Sequence, residues 1–154
     1  VTTPLVQFTV RGLPKAQPRA KAFRRGAHVG VYDPGSSSEW KGLVVSAARE
    51  HRPASPLEGP LSVSIDFLMP RPKRRMRKRD PAGEIRCSAK PDRDNLEKAV
   101  LDALTQDGWW RDDAQVCAGE VRKFYHAKDA VPGARIAILA VSEDHEPPKE
   151  FCAA

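Results

Sequence analysis

The sequence predicts a single α+β domain, a mixed β-sheet with two main amphipathic helices packed on one of its faces. Three observations carry that prediction. Several short stretches alternate apolar and polar residues, two longer ones repeat apolar residues at helical spacing, and 154 residues suffice for one ordinary core but not two.

Leu5 to Val10 alternates weakly and predicts a short strand. Gly12 to Arg25 holds two prolines and most of the early basic residues, which predicts a loop. Ala27 to Tyr32 predicts a second strand, closed by the turn residues Asp33-Pro34-Gly35. Ser36 predicts an N-cap, with Glu39 three residues on completing a capping box. Behind it Trp40, Leu43, Val44, Ala47, Ala48 and His51 recur at i, i+3, i+4, i+7, i+8 and i+11, an amphipathic helix ending near Pro53.

Leu61, Val63, Ile65 and Phe67 alternate with Ser62, Ser64, Asp66 and Leu68, the pattern of a strand with one buried face, and Pro70 and Pro72 stop it. Residues 70–89 predict a long, charged, structureless loop, of a kind that in a small domain is usually functional or disordered. Asp94 predicts the N-cap of the second helix with Glu97 at N3. Leu96, Ala99, Val100, Ala103 and Leu104 form its apolar face, and Gly108 ends it. Ala114 to Tyr125 and Arg135 to Val141 predict the remaining strands. The domain is therefore expected over residues 1–141, and the charged, proline-bearing segment 142–154 is expected to be a disordered tail.

No apolar run approaches the roughly 20 residues that span a bilayer. Val1 to Arg11 has neither the charged start nor the apolar stretch of a signal peptide, so a cytoplasmic protein with no membrane partner is expected. Cys87, Cys117 and Cys152 are odd in number and lack CxxC spacing, which argues against a disulfide framework and a zinc site. The net charge of +6 is unevenly spread: residues 1–25 carry six basic groups and residues 71–79 seven, neither with an acid, while residues 92–154 are net negative. A polyanion held by the first two segments and cut by the third would explain that split. Basic runs are also common as solvated loops, so charge alone leaves the partner open.

Two aspartates one residue apart, Asp92 and Asp94, mark the mouth of the second helix, and Asp113 precedes the strand that follows it. Side by side they repel each other unless a cation sits between them, and a hard divalent metal takes such carboxylate oxygens together with substrate phosphates. If the chain turns back so that Asp113 approaches, Asp92, Asp94 and Asp113 would hold Mg²⁺ against a phosphate, with Lys98 one helical turn from Asp94. Each residue also has a plainer explanation. Asp94 caps a helix, Asp112-Asp113 makes a turn, and Lys98 pairs with Asp94 or Asp102 at helical spacing. The residues alone leave metal site and structural role equally open. Trp109 and Trp110 are open in the same way, as a wedge at a DNA branch point or as packing of the turn, with packing favoured.

The stretch Lys90 to Val116, KPDRDNLEKAVLDALTQDGWWRDDAQV, resembles the signature of the RusA family of Holliday junction resolvases. The likeness lies in the Asp-x-Asp-Asn-Leu start, the lysine two residues after Leu96, the Leu-Asp-Ala-Leu helix, the aromatic turn and Asp-Asp-Ala-Gln-Val. A weaker likeness in element order runs over roughly residues 5–141. The resemblance implies a small homodimeric, Mg²⁺-dependent endonuclease (Mn²⁺ an alternative ion) that cuts four-way DNA junctions symmetrically. A phage or bacterial source is expected. By position it implies Asp92, Asp94 and Asp113 as metal ligands, Lys98 as the catalytic lysine, and Asp112 as a neighbour able to substitute for Asp113. The candidate phosphate contacts are Arg19, Arg24, Arg25, Lys73, Arg74, Arg75, Arg77, Lys78 and Arg79. The long basic loop and the acidic tail depart from the family pattern and bear on substrate preference rather than reaction type. Two rival readings are a nuclease for flaps, forks or phage DNA, and a non-catalytic DNA-binding protein.

Overall fold

The computed structural model describes residues 5–32 and 35–144. In chain order these form β1 (Val6–Arg11), β2 (Lys21–Arg25), β3 (His28–Tyr32), α1 (Ser38–Ala48), β4 (Leu61–Met69), β5 (Ile85–Arg86), α2 (Arg93–Gln106), β6 (Val116–Ala118), β7 (Val121–Tyr125) and β8 (Gly133–Ala140). The α+β class is as predicted. One mixed sheet runs β1-β8-β4-β7-β5, with β6 also on β4, while β2 and β3 pair only with each other. β4 lies antiparallel to β8 and parallel to β6 and β7. Among the described residues no helix is long and apolar enough to cross a membrane, and Cys87 and Cys117 are free thiols.

Alternation along β4 turns Leu61, Val63, Ile65, Phe67 and Met69 to one face, where they are buried with Phe8, Val10, Ala134, Ile136 and Ile138. Both helices cover that face. α2 buries all five predicted residues, and α1 buries Trp40, Val44 and Ala48. Leu43 and His51, predicted in the same stripe, sit exposed at its edge, where His51 stacks on Phe8 at 6.1 Å. The opposite face of the sheet carries charges: Arg122 and Arg135 pair with Asp66 at 2.7 and 3.1 Å, and Arg135 also with Glu84 at 2.7 Å. Burial alone would push Asp66 up, but the hydrogen bonds and charges of the two arginines hold it below the usual aspartate value.

α2 ends as its glycine predicts. Gly108, at φ 82°, donates to Thr105 O, and Trp109 donates to Leu104 O, the paired bonds of a Schellman motif. Trp109 and Trp110 follow directly into the core, with exposures of 0% and 1%. The Trp110 indole donates to Thr105 Oγ1 at 2.6 Å. They pack the turn and offer no wedge.

Both helix starts differ from prediction. The N-cap of α1 is Ser37, one residue beyond Ser36, and it makes no capping bond. Its buried hydroxyl donates instead to Gln17 Oε1 at 3.4 Å, a contact no local pattern encodes. α2 begins at Arg93 with Asp92 in the cap position, where Asp92 O accepts Leu96 N–H at 3.2 Å. Asp94 therefore lies inside the first turn, and the predicted box with Glu97 does not form. The stretch 114–125 is broken into a 3₁₀ turn (Asp113–Gln115), β6 and β7. The break falls at Gly119, φ 125°, where a Cβ would collide with the Val63 carbonyl.

Two predicted loops are ordered. The end of the 12–25 segment forms β2, and the 70–89 segment holds a 3₁₀ turn (Lys73–Arg75) and β5. Arg71 explains the second. Only 7% exposed, its guanidinium donates to the carbonyls of Arg75, Pro81 and Gly83 at 2.8, 2.6 and 2.9 Å. Lys128 closes the same segment from β7's side, donating to Arg77 O and Asp80 O at 2.7 Å each. Of the predicted turn Asp33-Pro34-Gly35 the first two residues lie outside the described residues, as do 145–154 of the predicted tail.

Replacing Arg71 by methionine keeps an apolar stem but leaves three carbonyls without their charged donor. Urea unfolding is expected to show a loss of about 2–4 kcal/mol, with tryptic cleavage of the 73–79 segment accelerated in parallel.

Candidate active site

The site is assembled around the chain just before α2. Lys123, on the helix-facing side of β7, donates to Ala89 O at 2.6 Å and Pro91 O at 2.7 Å. Arg93 reaches back to Val121 O at 3.3 Å. These bonds pin the mouth of α2 against the first half of β7, from Val121 to Lys123. From the other side Gln17 N–H donates to Asn95 O at 2.8 Å, drawing the basic N-terminal segment across the first turn.

Asp92, half-exposed, pairs with Lys90 at 2.6 Å. The Lys90 hydrogen bond and charge, joined by the charges of Lys123 and Arg19, hold its carboxyl below the usual aspartate value. Asp94 is exposed at the positive end of the helix dipole. Glu97, three residues on, is pushed above the usual glutamate value by burial, with Arg93 opposing and Asp94 adding to the rise. Lys98 Nζ turns along the helix to Asp102 at 3.4 Å, and Lys41 of α1 approaches the same carboxylate at 3.9 Å.

Asp113 is elsewhere. The Asp112 carboxylate caps the 3₁₀ turn by accepting Ala114 N–H at 2.8 Å. Gln115 completes the box, and its amide donates to Leu57 O and Gly59 O at 3.0 and 3.1 Å. Asp113 is thereby held at the Leu61 end of β4, with Asp92 and Asp94 at the other end of a helix roughly 21 Å long. The predicted meeting of Asp92, Asp94 and Asp113 within one chain does not occur. Among the described residues no three His, Cys, Asp or Glu side chains gather so as to hold a metal. The part of the set that suits a hard cation is Asp92 and Asp94, whose oxygens stand at an exposed helix mouth open to phosphate.

The basic candidates divide by position. Arg19 adds only a minor through-space charge at Asp92, while Arg24 and Arg25 lie on the exposed β2–β3 pair. Lys73, Arg74 and Arg75 form the 3₁₀ turn, and Arg77, Lys78 and Arg79 stand exposed on the bend that follows. A groove of about 630 Å³ runs beside the Lys90–Pro91 bond, with Lys15, Arg74 and Lys90 on its rim and Leu13, Met69 and Tyr125 on its walls. The two basic segments therefore converge on the acidic helix mouth. Lys90, Arg93, Glu97 and Lys123 went unpredicted. Lys90 and Arg93 stand next to the aspartates in sequence, but only strand register reveals Lys123.

The family model for endodeoxyribonuclease RusA matches residues 11–138. The uncharacterized protein YqaN of Bacillus subtilis (strain 168) is 35% identical over 131 residues, covering 82% of this chain and 92% of that protein.

The Lys90–Asp92 pair predicts a pH signature. An acid with a lowered folded value binds its proton less readily folded than unfolded. Its contribution is thus present at neutral pH and is lost as pH falls through the usual aspartate range and then its own lowered midpoint. Carboxyl-carbon NMR is expected to find the Asp92 midpoint below the ordinary 3.8, and Lys90→Ala to move it back up.

Proposed function

The chain belongs to the RusA family of endodeoxyribonucleases, and from that premise we propose that it resolves four-way DNA junctions by paired, symmetric, Mg²⁺-dependent nicks, as a homodimer acting in recombination and repair. The observation that carries this reading is the helix mouth itself. Two carboxylates, Asp92 and Asp94, stand there within a frame of cations drawn from both basic segments. Phosphate contacts of that kind hold the arms of a branched duplex without reading its sequence.

In this proposal Asp92 and Asp94 are the metal ligands, with DNA phosphate completing the shell. Mg²⁺ there would offset charge on the scissile phosphate and lower the pKa of an attacking water. Lys90 favours the ionised Asp92 carboxylate and gives way to the metal, a modest exchange since the pair is solvent-exposed. Lys98, itself exposed and paired at 3.4 Å with the part-buried Asp102, can turn to the phosphate and balance the charge of the leaving oxygen. Asp113 stands too far along α2 to join the pair in its own chain, so as a ligand it must come from the second copy in the homodimer. Two sites related by a two-fold axis suit the symmetry of a four-way junction.

Asp94→Asn is expected to lower nicking of a synthetic four-way junction about 100-fold or more while the melting curve stays intact. Mixing the Asp94→Asn and Asp113→Asn proteins is expected to restore part of the activity, because a mixed dimer keeps one complete site. No recovery would confine the site to one chain, and cleavage that persists in Asp94→Asn would remove Asp94 from it. Lys73→Ala with Arg74→Ala is expected to lower the slope of log affinity against log salt by about two, read in a binding titration.

A further inference from the structure

The β2–β3 hairpin carries a surface that neither the fold nor the cleavage chemistry uses. It pairs with no other strand among the described residues, and nine of its ten strand residues are exposed. A lone two-stranded hairpin is marginal in water and gains from a partner. Its register sets Lys21 opposite Tyr32, Phe23 opposite Gly30 and Arg25 opposite His28, so these six share one face. On that face the Phe23 ring lies over Gly30, where a Cβ would collide with it. The ring meets Tyr32 edge-on at 6.1 Å and lies tilted against His28 at 6.3 Å. Phe23 and Tyr32 nevertheless remain 43% and 47% exposed.

The face is thus an aromatic strip with a cation at either end, Lys21 and Arg25. Residues 5–32 contain no Asp or Glu. That chemistry fits a polyanion that also presents flat apolar rings, which describes nucleic acid with unstacked bases. Gln17, four residues before the hairpin, donates its N–H to Asn95 O in the first turn of α2 at 2.8 Å, so the arm springs from beside the helix mouth. Duplex arms hide their base faces by stacking, whereas a branch point held open by a protein exposes the faces of the pairs around it.

We propose that the β2–β3 hairpin is a DNA-recognition arm whose Phe23–Tyr32 face stacks on bases uncovered at the branch point, with Lys21 and Arg25 on the flanking phosphates. The inference rests on the junction-nuclease reading for its substrate, but not on the metal site. It makes the hairpin, rather than the buried tryptophans, the part that distinguishes branched from linear DNA.

The test uses the full chain in Ca²⁺, without cleavage, on a junction carrying 2-aminopurine at its branch point and on a linear duplex of the same sequence. The wild type is expected to prefer the junction and to quench the probe. Phe23→Ala with Tyr32→Ala is expected to weaken junction binding about tenfold, leave duplex binding within about twofold and abolish the quenching, while Phe23→Trp retains both. Unchanged junction affinity and quenching in the double variant would overturn the arm and leave the nuclease reading standing. A wild type with no preference for the junction would overturn both. Sedimentation and vesicle-binding controls cover the remaining occupants: loss of self-association, or of binding to anionic lipid, with junction binding intact would assign the strip to a second copy or to a membrane surface instead.

Discussion

The parallel pairing of β7 with β4 is the constraint from which the position of the site follows. Parallel neighbours cannot be joined by a tight turn, so the chain leaving Met69 must return to the Leu61 end before β6 and β7 can form. α2 makes that return. Its start is thereby fixed against Val121 and Lys123 of β7, beside Ile65 and Phe67 of β4, and its finish near Leu57 and Leu61. The same constraint that presents Asp92 and Asp94 at a positive helix end carries Asp113 about a helix length away. One topological fact explains both the pair that forms and the third carboxylate that does not join it.

Around that mouth the electrostatics are divided between holding and reacting. Lys123 and Arg93 spend their donors on backbone carbonyls, fixing where the helix begins. Arg71 and Lys128 do the same for the basic segment, which turns a run that reads as floppy into a shaped rim. Arg122 and Arg135 are committed to Asp66 and Glu84 on the outer face of the sheet. What is left facing solvent near the aspartates is Lys15, Arg19, Arg74 and Lys90, and these can meet phosphate without first giving up a buried partner. A polyanion therefore meets a rigid frame and replaces only weak, exposed pairs.

Much of this was legible in the sequence where one face is buried. The period of β4 and the five apolar residues of α2 name the core directly, because burial writes itself into spacing. Legibility failed where position is set across the chain. Asp92 and Asp94 are both credible caps, and Lys90 and Lys123, not local propensity, settle that the helix begins before Asp94. β2 was hidden because its apolar residues, Ala22 and Phe23, are adjacent and set among cations, whereas Val29 and Val31 alternate in its partner β3. Arg71 was hidden in a run of like residues, although it alone of the seven basic groups at 71–79 is buried. The distance of Asp113 required the strand register.

The central claim is that a divalent metal works at the mouth of α2, and locating it directly is the sharpest test. Fe²⁺ loaded in place of Mg²⁺ on the junction-bound protein, with ascorbate and peroxide, cuts the backbone beside the ion. Cuts are expected within residues 89–95, at the neighbouring 121–123 of β7 and, from the second copy, around Asp113, all lost in Asp92→Asn with Asp94→Asn. Cuts confined to the Asp112–Asp113 turn, or no localised cuts on the bound complex, would contradict it.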